Sequence, residues 1–376
     1  MVTLLVPTYL LLTLLLPPPT TPSKTPLLSL DFPDPCIIQD APSGTWYAFA
    51  TGGWWTPPPP TNNTTTTTNS TPAADKATYK NIQAASAPSP RGPWTYLPSA
   101  NPLPSPGVWA TSTQTWAPSL IQLNSSSYVL YYAAQLAAGN HSSSSSSYHC
   151  IGAATSSSGS ILGPYTPLPE PVICPLEKGG AIDPAGFLDP ATGRRYLVYK
   201  VDGNAMGAGG ECNNGVEPFQ RTPIVLQEVD RGDGGGLGGG GVEVFDRDGG
   251  PEGVDGPLVE APDLFFFTTT TTAVGRGEGG EESGEGGRYV LFYSNHCWDG
   301  PGYSVNYAVA EGNVTGPYKR RTERLIGTGD GFNVTAPGGA ASVPGGRWMV
   351  FHGDCPQGRC LFGAEMEVMG DAVVVS

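Results

Sequence analysis

Three carboxylic acids stand at matched places along this chain. Asp34 and Asp183 open, and Glu260 directly precedes, a three-residue signature: Asp or Ala, then Pro, then a short residue. The signature occurs five times, as Asp34-Pro35-Cys36, Ala117-Pro118-Ser119, Asp183-Pro184-Ala185, Ala261-Pro262-Asp263 and Ala336-Pro337-Gly338. If the five copies converge on one axis, three acids share one mouth, and Ala117 and Ala336 leave room between them. Gathered carboxylates repel one another and persist where a function needs proton affinities set apart. Breaking a glycosidic bond is such a function. One acid gives a proton to the leaving oxygen while another acts as base or nucleophile. An Asp before Pro can also simply cap a turn. That reading suffices for any one of the three, but not for acids at matched repeat positions.

The elements that must position these acids repeat with them. After each signature comes an apolar run with aromatics at i and i+3: Trp46/Phe49, Tyr128/Tyr131, Tyr196/Tyr199, Tyr289/Phe292 and Trp348/Phe351. A third strand-like run follows each, at 82–86, 151–155, 224–229, 305–310 and 361–368. Three of these lead into Gly-Pro-aromatic turns, Gly92-Pro93-Trp94, Gly163-Pro164-Tyr165 and Gly316-Pro317-Tyr318, and so into an outer strand. Each unit thus offers about four short strands, and five units arranged radially make an all-β, five-bladed β-propeller of four-stranded antiparallel blades. A β-sandwich is the competing architecture. From Pro to the first aromatic the gaps are 11, 10, 12, 27 and 11 residues. The long gap marks a low-complexity insertion at 268–287, read as a disordered loop. The tracts at 64–68, 142–147 and 234–241 read as surface loops.

Composition agrees. Gly and Pro number 52 and 39 in 376 residues, while 39% of residues are hydrophobic and 14% charged. Such a chain can bury a core but is poor in helix formers. Its net charge of −14 excludes an electrostatic footprint for nucleic acid or anionic lipid. There is no GxSxG or HExxH motif, and the four histidines, His141, His149, His296 and His352, show no chelating spacing. No cofactor or metal is predicted.

Residues 4–16 form an apolar stretch too short to span a bilayer. Residues 1–20 read as a secretory signal peptide, 21–29 as a linker and 30–376 as the propeller. Seven glycosylation sequons, at Asn62, Asn63, Asn69, Asn124, Asn140, Asn313 and Asn333, fit secretion. Of seven cysteines, Cys355 and Cys360 could staple one tight loop. Cys150 with Cys174 and Cys212 with Cys297 are further possible pairs, which would leave Cys36 as a buried thiol.

At Phe32-Pro33-Asp34-Pro35, Trp116-Ala117-Pro118, Ala181-Ile182-Asp183-Pro184 and Val259-Glu260-Ala261-Pro262, the chain resembles glycoside hydrolase family 43. Gly179 to Phe187 resembles a fungal branch of it. The family's members are five-bladed propellers acting on arabinose- and xylose-containing polysaccharides. The resemblance implies that Asp34 is the general base activating water and Glu260 the general acid. It makes Asp183 the residue that orients the acid and modulates its pKa. It also implies inversion, which needs the two carboxyls roughly 6.5–9.5 Å apart. Two departures stand out: Ser119 replaces an Asp found in many members, and Pro337-Gly338-Gly339-Ala340 occupies a strand where many carry a His. That argues against an axial ion, and His352 reads as a packed or solvent-facing His.

Sugar rings stack on aromatic faces, so Trp116, and less directly Trp54 and Trp55, are candidate substrate-binding residues. The expectation is a secreted, monomeric, inverting hydrolase of α-L-arabinofuranosidic linkages in plant cell-wall arabinan or arabinoxylan, with no nucleic-acid or membrane partner. A β-xylosidase of the same family and a non-catalytic carbohydrate-binding propeller are the alternatives.

Overall fold

The structure, a computed structural model, describes residues 25–55, 77–137, 148–156, 158–230, 232, 234–250, 252–270, 285–344 and 346–376. It is an all-β, five-bladed propeller in which every blade is a four-stranded antiparallel sheet built from consecutive strands. Blade one holds β1 (Cys36–Gln39), β2 (Trp46–Trp55), β3 (Thr78–Ala87) and β4 (Thr95–Tyr96), and blade two holds β5 (Ala110–Asn124), β6 (Ser127–Leu136), β7 (His149–Ser156) and β8 (Thr166–Pro167). Blade three comprises β9 (Ala181–Leu188), β10 (Arg195–Val201), β11 (Ile224–Val229) and β12 (Leu237–Phe245). Blade four comprises β13 (Val259–Thr270), β14 (Glu285–Asn295), β15 (Ser304–Glu311) and β16 (Lys319–Arg320). Blade five comprises β17 (Gly338–Ser342), β18 (Trp348–Cys355), β19 (Gly358–Met369) and β20 (Ala372–Val375).

The i, i+3 aromatic pairs explain how blades stack. Successive side chains on a strand alternate faces, so residues three apart point to opposite sides of the sheet. Each pair therefore packs one ring into the core on either side of its blade. Tyr128 joins the cluster between blades one and two, and Tyr131 joins that between blades two and three. Tyr289 and Phe292 divide likewise between the blade three/four and four/five clusters. Five such clusters fill the five inter-blade interfaces.

Among the described residues, no strand is shared between the first and last blades. The ring closes instead through the segment before β1. Leu28 forms an isolated bridge with Leu361, Phe32 N–H donates to the Arg359 carbonyl at 2.8 Å, and Arg359 N–H donates to Asp31 Oδ1 at 2.9 Å. Leu28 and Phe32 are buried in the blade five/one core, so packing begins within the stretch read as a linker.

Two sequence readings need correction. The glycine tract at 234–241 is not wholly loop, since Gly238–Gly241 belong to β12. That strand is an outer edge, exposed along most of its length, where backbone pairing on one side needs no side-chain packing. The insertion at 268–287 also begins and ends as strand: Thr268–Thr270 pair with Glu285–Gly287, lengthening the β13–β14 ladder. Residues 271–284, the tracts at 64–68 and 142–147, the signal-peptide reading and the sequons at Asn62, Asn63, Asn69 and Asn140 lie outside the described residues.

The structure contains the disulfides Cys150–Cys174, Cys212–Cys297 and Cys355–Cys360. Cys36 is free, and burial pushes its thiol up to about 12. Among the described residues, no helix is long and apolar enough to cross a membrane.

Candidate active site

Each signature begins where its inner strand turns onto the axis. The residue before proline has a left-handed backbone in all five copies, with φ of 52° at Asp34, 43° at Ala117, 55° at Asp183, 49° at Ala261 and 46° at Ala336. Non-glycine residues there cost roughly 1–3 kcal/mol each and need surrounding structure to hold them. Cross-blade hydrogen bonds supply part of that hold. Asp34 N–H donates to His352 Nδ1 (3.0 Å), Ala117 N–H to Thr51 Oγ1 (2.8 Å) and Ala261 N–H to Asp183 Oδ2 (2.9 Å). Each joins one blade's signature to its neighbour, and the last ties Asp183 to the peptide that follows Glu260.

The three acids meet at one mouth. Asp34, Asp183 and Glu260 line a single cavity of about 410 Å³ together with Trp116, Lys200, Asp202, Tyr303, Trp298 and Arg359. Below it, a constriction of about 50 Å³ runs between the first four signatures and residues 339–341 of blade five. It leads to a cavity of about 550 Å³ at the far end of the axis.

The settings of the acids differ. Burial by itself would raise Asp34, but Arg359 Nη1 sits 3.0 Å from Oδ1 and the Thr51 hydroxyl donates to Oδ2 at 2.6 Å. The guanidinium charge and that hydrogen bond hold Asp34 below the ordinary carboxylate value. Asp183 goes the other way. Burial first, and then the Glu260 charge, push it up to about 8, with Lys200 opposing. Glu260 is 8% exposed and both its oxygens are engaged. Lys200 Nζ donates to Oε2 at 3.0 Å and Tyr303 O–H donates to Oε1 at 2.9 Å. Lys200 also pairs with Asp202 Oδ1 at 3.2 Å. Burial disfavours its charge, yet Glu260 and Asp202 more than compensate and raise its pKa. The site thus offers a carboxylate kept ionised, a second acid that keeps its proton at neutral pH, and a glutamate fixed between two donors. That is the equipment of paired acid–base chemistry.

Trp116 lines the cavity, its ring stacked on His149 with centroids 3.6 Å apart. Trp54 and Trp55 do not line it. Trp54 is 69% exposed and meets Tyr79 edge-on. Ser119, in place of an Asp, accepts from Gly186 N–H at 2.9 Å and is buried. His352 is fully buried on β18, and burial lowers its pKa to about 3. Its Nδ1 accepts from Asp34 N–H, while its buried Nε2 has no hydrogen-bond partner among the described residues. Among the described residues, the grouped metal-capable side chains are Cys212, Cys297 and Asp299, and the two cysteines are joined to each other.

Lys200, Tyr303, Arg359 and Trp298 escaped the sequence reading. A signal existed for the first. Lys200 interrupts the apolar run Tyr196–Val201, and a lysine deep in a strand implies buried carboxylate partners.

Fold and site together define a five-bladed propeller that gathers three carboxyl groups in one axial cavity. The profile of the glycosyl hydrolases family 43 matches residues 23–369, and the chain belongs to that family. It is a glycoside hydrolase. Among solved structures, a thermostable family-43 glycoside hydrolase aligns with TM-score 0.62 at 18% identity, over 92% of each chain. An endo-arabinase from Bacteroides thetaiotaomicron aligns with TM-score 0.57 at 17% identity, covering 92% of this chain and 97% of that one. An endo-1,4-beta-xylanase from the same organism gives 0.59 at 17%, covering 93% and 96%. At such identities the likeness speaks to the fold. A search of curated proteins finds no match.

Proposed function

We propose that this protein is a secreted, inverting hydrolase that cuts α-L-arabinofuranosidic linkages in arabinan or arabinoxylan. One observation carries the reading: three carboxyl groups in distinct electrostatic settings line one axial cavity. Asp34, kept ionised by Arg359, takes a proton from a water that attacks the anomeric carbon. Glu260 takes up the proton that Asp183 holds at rest and passes it to the leaving oxygen as the glycosidic bond breaks. Lys200 and Tyr303 then hold the glutamate as a carboxylate. Asp183 orients the acid through the Ala261 amide and shares the site's proton. Trp116 offers a ring face to the sugar.

Arabinose is favoured because several solved relatives are named arabinanases, among them proteins from Bacteroides thetaiotaomicron, Bacillus subtilis and Cellvibrio cellulosa. Secretion is supported by three disulfides, which persist in oxidising compartments. The test is to incubate the protein with debranched arabinan, wheat arabinoxylan and xylo-oligosaccharides beside an Asp34→Asn control. Arabinose or arabino-oligosaccharides above the control are expected. Xylose alone would move the assignment to a β-xylosidase. No release, with retained binding to a polymer, would leave a carbohydrate-binding propeller.

A further inference from the structure

Trp298 is a large apolar side chain left 49% exposed at the wall of the carboxylate cavity. It lies in the short connection between β14 and β15, one residue after Cys297. That connection is pinned. Cys297 is bonded to Cys212, and Cys297 N–H donates to Glu211 Oε1 at 3.2 Å. Cys212 and Glu211 sit in a 3-10 turn, Glu211–Asn213, within the long β10–β11 connection. The disulfide therefore joins the rims of blades three and four and sets Trp298 beside the joint. The ring packs over the Arg359 guanidinium, 5.0 Å from its centroid, and Arg359 in turn holds Asp34. A half-exposed tryptophan on a cross-linked rim gains little for the core, and because it lines the carboxylate cavity its open ring surface lies where a bound chain would meet it.

We propose that Trp298 is a specificity-determining platform, on which a sugar unit beyond the one at the carboxylates stacks, so that the site favours oligosaccharide chains over single glycosides. This rests on the glycoside hydrolase reading of the cavity. The carboxylates are buried at its floor, whereas Trp298 stands at its mouth, where the next units of a chain must pass. The C–H faces of a sugar ring cover an indole face, and the cross-link has already removed the loop's freedom, so little ordering cost falls on binding.

The test compares wild type with Trp298→Ala, Trp298→Phe and Trp298→Leu on arabino-oligosaccharides and on an aryl α-L-arabinofuranoside. Calorimetric binding of the same oligosaccharides is measured in the Asp34→Asn background. Truncation should lower the oligosaccharide-to-aryl ratio of kcat/KM about tenfold, mainly through KM, the size of loss typical of a buried aromatic contact. Phe should recover most of the ratio. Leu keeps apolar cover over Arg359 without a flat ring, and should resemble Ala. A Cys212→Ala/Cys297→Ala variant should shift the ratio the same way. The proposal is overturned if the ratio stays put. It also falls if both substrates lose kcat equally with KM unchanged, which would make Trp298 a mere support for Arg359. If wild type hydrolyses neither substrate but Trp298→Ala weakens calorimetric binding about tenfold, the hydrolase reading fails and the platform stands.

Discussion

Replacing Arg359 with Met removes the cation that keeps the proposed base charged. Its Nη1 lies 3.0 Å from Asp34 Oδ1, and the two side chains are 22% and 19% exposed. Two unit charges roughly 4 Å apart at an effective dielectric of about 20 attract by about 4 kcal/mol. Water reaching a fifth of each side chain screens part of this, leaving about 2 kcal/mol. At about 1.36 kcal/mol per unit, Asp34 should then titrate about 1.5 units higher in the variant. The sign follows directly. The base acts only when ionised, so its protonation sets the acid limb of the pH–rate profile, and that limb should move up by about the same amount. The alkaline limb belongs to other groups and should stay. The assay is kcat/KM against pH on an aryl α-L-arabinofuranoside, where free-enzyme groups are reported. Arg359→Lys should restore part of the shift. An acid limb that stays in place, with activity lowered evenly at every pH, would refute the reasoning. Arg359 would then act on the substrate, or the base would not be Asp34.

Three further outcomes follow from the same site. Glu260→Gln should cut turnover of arabinan, with its poor leaving group, by about 10²–10⁴-fold and that of activated aryl glycosides far less; equal losses on both, measured as kcat, would remove Glu260 from the acid role. In wild type, activity should decline as pH rises through about 8, where Asp183 gives up its proton. Lys200 opposes that retention, so Lys200→Met should carry the alkaline limb higher while lowering Tm, because breaking a buried pair costs about 3–5 kcal/mol. A limb that moves down, or not at all, would dissociate Asp183 from the proton that matters.

Much of the architecture was legible because a propeller writes itself repeatedly. The Pro signatures and the i, i+3 aromatics recur in every blade, and each has a repeated cause: a turn onto the axis, and a ring for each neighbouring blade. The acids were legible for the same reason, since Asp34 and Asp183 open their signatures and Glu260 directly precedes one. Lys200, Tyr303, Arg359 and Trp298 were not, because each occurs in one blade alone and serves a partner more than 40 positions away. The Lys200–Glu260, Tyr303–Glu260 and Arg359–Asp34 separations are 60, 43 and 325 residues. β12 was missed because Gly238–Gly241 carry no pattern that an edge strand requires. Trp116, which directly precedes a signature, lines the cavity, whereas Trp54, on the second strand of blade one, does not.

The closure of the ring has a consequence for how this enzyme fails. Asp34 stands at the joint between the first and last blades. Its amide is held by His352 and its carboxylate by Arg359, both contributed by blade five. Among the described residues no strand ladder crosses it, as none crosses the other four joints; the blade five/one core, the Leu28–Leu361 bridge and a few hydrogen bonds close it. Parting there strips the base of its partners while each sheet keeps its own pairing. Local opening of this kind needs less free energy than global unfolding. Heat or denaturant should therefore silence the enzyme as a ring unclasping, with five intact blades still folded around a mouth that has lost its charge pair.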